Sequence, residues 1–242
     1  MKRLTILLLI FSVGAVLIKI APVFVFGFKV VCGGLCPNDF LDILVWVPFL
    51  AVMFFFITKE VSSEAGGIGT PVLLLIILLG AALFEGHGIH FSANAIHNML
   101  SGETVGEGFS NLVYFYDEHL GHWVTDVGFY GILGVLFLVE LWAMDKKKQK
   151  AGAGELISLI VAAILFGFYA GSSALESQTA PEVLIYFIAV IVIFAIVTIF
   201  GKRAAKKERL GLFMCVSGLV VTIAYIVYWI IFGGLIEPSQ WM

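Results

Sequence analysis

Long apolar runs alternate with short polar ones along the chain, and seven of the runs are long enough to cross a bilayer. A membrane helix needs roughly 20 mostly apolar residues. The runs cover 4–28, 39–58, 71–100, 111–144, 154–173, 181–201 and 210–234. They predict an all-α fold: a polytopic membrane helix bundle of seven transmembrane helices, forming a single membrane domain over residues 1–242. The first run follows MKR and continues to Phe28, broken only by Lys19. That continuity favours an uncleaved first helix over a signal peptide cut near Ala15.

The polar connections sort by charge. Lys2 and Arg3 precede the first run, and Lys59 follows the second. Lys146, Lys147, Lys148 and Lys150 lie between the fourth and fifth runs. Lys202, Arg203, Lys206, Lys207 and Arg209 lie between the sixth and seventh. With seven spans these fall on one side, leaving only Lys19 and Lys29 of the 14 basic residues elsewhere. Basic loops face the cytoplasm. The expected orientation therefore has the N-terminus cytoplasmic and the C-terminus outside. Trp229 and Trp241 suit an interfacial aromatic belt at the far end.

Composition agrees with the pattern. Charged residues are 13% of the chain and mean hydropathy is +1.06, against roughly 25% charge in a soluble domain. A multi-pass protein of the cell membrane in contact with lipid is expected. There is no basic stripe suited to nucleic acid.

Candidate chemistry is concentrated. All five histidines fall between His87 and His122, in EGHGIHFSANAIHN and YDEHLGHW. Ionisable groups at membrane depth are costly and are retained for function. A count of about 20 residues from Pro71, and back from Asp145, places both runs near the outer membrane boundary. At 100° per residue, His87, His90, Asn94, His97, Asn98 and Ser101 share one arc of the third helix. His119, His122, Asp126 and Tyr130 share an arc of the fourth, with Glu118 at its edge. The two stripes are expected to face each other, with Gly86 and Gly88 letting the backbones approach. Glu85 and Asp117 project to the opposite sides and reach the site only if the helices are distorted.

Imidazoles with carboxylates suit a transition metal, Zn or Fe foremost. The metal candidates are His87, His90, His97, His119 and His122. Glu118, Asp126 and Tyr130 are the catalytic candidates, Glu118 and Asp126 as ligand and acid/base in either order. Asn94 and Asn98 would contact the cofactor or substrate. The reading is an integral membrane metalloprotein, a metal-dependent hydrolase or oxidoreductase acting on a lipid, amphipathic or small-molecule substrate at the outer face. An alternative is a haem-binding electron-transfer protein, with one axial histidine from each helix. Another is an ion or proton transporter or sensor, although the inner half offers only Glu140. A purely structural hydrogen-bond network explains one or two such residues well and the whole set poorly.

Other features carry less. Cys32 and Cys36 could form a small looped disulfide or remain free thiols. Cys215 reads as a packing residue. GGIGT at 66–70 lacks the lysine and spacing of a phosphate loop. Glu176 is expected to be solvated. Lys19 either snorkels or is buried and paired. Seven spans with histidine and acidic residues partly resemble the membrane hydrolases that include alkaline ceramidases and progestin-type receptors. Those place a paired HxxxH late in the chain, where this one has no histidine. Membrane desaturases and hydroxylases use more histidines, in other spacings and on the cytosolic side. Neither resemblance assigns a role to a residue here.

Overall fold

A computed structural model describes residues 2–25, 33–100, 106–143, 151–200 and 208–235, with the backbone alone at 21–25. Among them seven helices are long and apolar enough to cross a membrane. They are α1 (Arg3–Val25), α2 (Pro37–Glu64), α3 (Thr70–Leu100), α4 (Glu107–Trp142), α5 (Ala153–Glu176), α6 (Ala180–Phe200) and α7 (Arg209–Phe232). The number and order of spans match the hydropathy pattern. The connections 144–150 and 201–207, which carry most of the charge behind the expected orientation, lie outside the described residues, as do Cys32, Ser101 and Trp241.

Two helices depart from α geometry. The first turns of α2 give way to a π-helical stretch at Asp42–Trp46. Pro48 follows it and cannot donate to the ladder, so the helix there is already loosened. A second π-helical stretch runs through α4 at Phe115–Gly121. Each π turn takes in one residue more than an α turn and shifts every later side chain by about 100° around the axis.

The helices group into two compact units. One holds Met1–Val16, Val52–Leu73 and Leu133–Met242; the other holds Leu17–Ala51 and Leu74–Ile132. In the first, Phe11, Phe54, Phe166 and Phe213 bring α1, α2, α5 and α7 together, with ring centroids 5.2 to 5.7 Å apart. Small residues set the helix spacing, as membrane packing favours. A methyl at Gly167 would lie 2.8 Å from the Ser217 carbonyl. Ser217 Oγ lies 3.0 Å from the Ala163 carbonyl, to which it donates.

The start of α7 is anchored by carboxylates of other helices. Its first amides have no partner within the helix. Glu140 accepts from the amides of Leu210 (3.0 Å) and Gly211 (2.7 Å). Glu155 accepts from Arg209 Nε (2.8 Å), Thr5 Oγ1 (3.0 Å) and the Lys2 amide (3.2 Å). Arg209 is therefore no loop cation: it is the first residue of α7 and 1% exposed.

Candidate functional site

The second unit contains the histidines. Close contact between α3 and α4 begins with glycine. A methyl at Gly86 would lie 2.5 Å from Thr125 Oγ1 and 2.8 Å from the Gly121 carbonyl. One at Gly121 would lie 3.0 Å from His90 Cβ, and one at Gly128 would lie 2.6 Å from the Leu79 carbonyl. Gly88, expected to share in this approach, instead faces open space.

This contact brings His90 and His122 together with ring centroids 4.6 Å apart. Asp117 joins them, its Oδ1 2.8 Å from His90 Nδ1. The approach is close but not squared up as a hydrogen bond, and no other described donor points at that oxygen. The His90 ring also meets the Asp117 carbonyl at 3.4 Å. Glu118 Oε2 lies 3.9 Å from His122 Nε2, one turn away on the same helix. His87, one turn from His90, stacks on Phe91. Its Nε2 is buried without a hydrogen-bond partner among the described residues.

Regular α spacing puts Asp117 about 140° from His122 on the helix. The π turn removes most of that angle and carries Asp117 to the His90 side. The same turn carries His119 out of the stripe. Its ring sits among Tyr114, Phe115 and Trp123 of its own helix, at 5.6 to 6.1 Å. His97 is exposed, as is Glu85 on the far side of α3. Asp126 is half-buried one turn beyond His122, and Tyr130 is buried against Phe129.

Asn94 and Asn98 turn out to hold the backbone around the site. Asn94 Nδ2 donates to Asp39 Oδ1 (2.9 Å), and Asn98 Nδ2 to the Gly34 carbonyl (2.9 Å). Asp39 Oδ2 in turn accepts from the Cys36 amide (2.6 Å), closing the start of α2, where Pro37 takes the first helical position. Gly34 has φ +80° and lies on the Ala95 carbonyl, a place and conformation only glycine fits. The Cys36 thiol has no disulfide partner among the described residues. Burial pushes that thiol above its ordinary value, and Asp39 beside it adds to the effect.

Two further charges face the cluster. Asp42, in the π turn of α2, is within electrostatic reach of His90, Asp39 and Lys19. Lys19 of α1 is likewise within electrostatic reach of His122. Asp42 was not among the residues expected at the site. The cost argument that singles out the histidines applies equally to an aspartate near the start of an apolar run. Asp117 and Glu118 thus lie against His90 and His122, with Asp42 and Lys19 within electrostatic reach of them. As placed, no three of the described His, Cys, Asp or Glu side chains converge where one ion could sit.

Comparison with known proteins gives a family match. The family model of Ceroid-lipofuscinosis neuronal protein 6 matches residues 76–234, well over half of the chain. The matched segment includes His87, His90, Asp117 and His122 but neither α1 nor α2. No curated protein and no solved structure matches.

Proposed function

The chain belongs to that family of multi-pass membrane proteins, and from this premise we propose that it is an integral membrane metalloprotein. Its metal centre is built on His87, His90 and His122, with Asp117 orienting His90 and Glu118 as the carboxylate ligand. The observation that carries the reading is the Asp117–His90–His122 arrangement. A metal-binding histidine turns its other ring nitrogen to a carboxylate, which fixes the tautomer. With Nδ1 of His90 facing Asp117, Nε2 presents its lone pair. The partnerless Nε2 of His87 is a second donor close by. His87 and His122 must rotate to complete the set. The 4.6 Å between the His90 and His122 rings leaves no room for a macrocycle between them, which favours a simple ion over haem.

Such an ion would supply Lewis acidity to a lipid or other amphipathic substrate at the non-cytoplasmic face. Asp126, one turn past His122, would exchange a proton beside the ion, or Glu118 would if Asp126 were the ligand instead.

The test is metal analysis of the purified full chain in detergent after equilibration with Zn(II) or Fe(II). About one tightly held ion per chain is expected, with nitrogen ligation in X-ray absorption. His90→Ala with His122→Ala should remove it. Wild-type protein that holds no more metal than the double variant defeats the proposal.

A further inference from the structure

The opposite face of α3 poses a separate question. Ala81, Glu85, Gly88 and Ser92 recur at steps of four, three and four and are all exposed, so they form one stripe within an arc of about 60°. Leu74 and Leu78 continue it, 54% and 67% exposed. Glu85 is the middle residue of the helix Thr70–Leu100. Whichever stretch of about 20 residues lies in hydrocarbon, Glu85 is inside it. It makes no hydrogen bond or ion pair with any described residue. A lone carboxylate facing lipid is costly, and such groups pair with an opposite charge or line a cavity. Gly88 adds an independent feature, because a methyl there would meet nothing within 4 Å. The glycine leaves the helix surface low beside the charge, where a neighbouring helix can approach closely.

We propose that this face docks a membrane-spanning helix of another protein that carries a lysine or arginine at the depth of Glu85. Charge complementarity selects the occupant. A second copy of this chain, placed about a two-fold axis on this face, would set Glu85 against Glu85. Nor do the described residues of such a copy supply the base. Among the described residues Lys2, Arg3 and Lys59 lie near helix ends, Lys19 is turned to the histidine cluster and Arg209 is buried. The inference is independent of the metal reading, since Glu85 and Gly88 face away from His90.

The experiment uses the full chain in phosphatidylcholine vesicles. It is mixed with labelled single-span polyleucine peptides bearing either lysine or leucine at the centre, and association is read by energy transfer. The lysine peptide is expected to bind roughly ten-fold more tightly than its leucine twin. Glu85→Leu should abolish the preference and Glu85→Asp should keep most of it. Gly88→Leu should weaken binding of the lysine peptide. Glu85 is exposed, so its variants leave the helix packing intact. Equal binding of the two peptides overturns the proposal, and so does a preference that survives Glu85→Leu. Glu85-dependent association between two labelled copies of the chain also overturns it, in favour of a homo-oligomer.

Discussion

With its carboxylate 2.8 Å from Nδ1, Asp117 holds the His90 ring in one orientation. Asp117→Asn keeps the shape and removes the charge. Loss of such a partner weakens metal binding by about 10- to 100-fold, and that is the drop expected in a Zn(II) titration of the variant. His97→Ala, at an exposed position, should leave the titration unchanged. An Asp117→Asn variant that binds as tightly as wild type would remove Asp117 from the site. Asn94 and Asn98 use their amides to hold other segments of the unit. Both lie on the expected face of α3, yet their amides hold Asp39 and the Gly34 carbonyl. A sequence shows that an asparagine at membrane depth needs a partner, and leaves open whether that partner is a ligand or a loop.

Elements, rather than single residues, decide which of the five histidines meet. The stripe on α3 is legible because α3 is a regular helix throughout Thr70–Leu100. The stripe on α4 is not, because one extra residue at Phe115–Gly121 turns the wheel. Nothing in FYDEHLG marks that turn except Gly121, which is needed for the approach of His90. Deleting Tyr116, which is 43% exposed, should restore α register and swing Asp117 away from His90 by about 100°. Helix content by circular dichroism should be unchanged, and metal affinity should fall as it does in Asp117→Asn. Unchanged affinity would mean that the π turn does not set the site. A glycine in a membrane helix is similarly two-valued: Gly86 meets a neighbouring helix and Gly88 meets no described residue, although they are two residues apart.

At the scale of the molecule, the first unit depends on charges that hydropathy assigns to water. The Arg209–Glu155 pair is almost fully buried, with side chains 1% and 11% exposed. Removing one partner of a buried pair costs about 3–5 kcal/mol, because the other charge is left uncompensated. Arg209→Leu and Glu155→Leu should each destabilise the protein by that order in detergent unfolding. The double variant should lose much less than the sum; strict additivity would show that the pair is not coupled. Hydropathy alone determined the seven spans and their order, because lipid demands about 20 apolar residues per crossing and nothing subtler. Clustering of the histidines was equally plain, since ionisable groups stand out in apolar runs. Tertiary structure decided which of them meet, that Asp117 and Asp42 join them, and that Arg209 is buried. Those outcomes depend on a one-residue change in helical register and on the contacts of helices distant in sequence. A periodicity of 3.6 residues read along one helix carries neither.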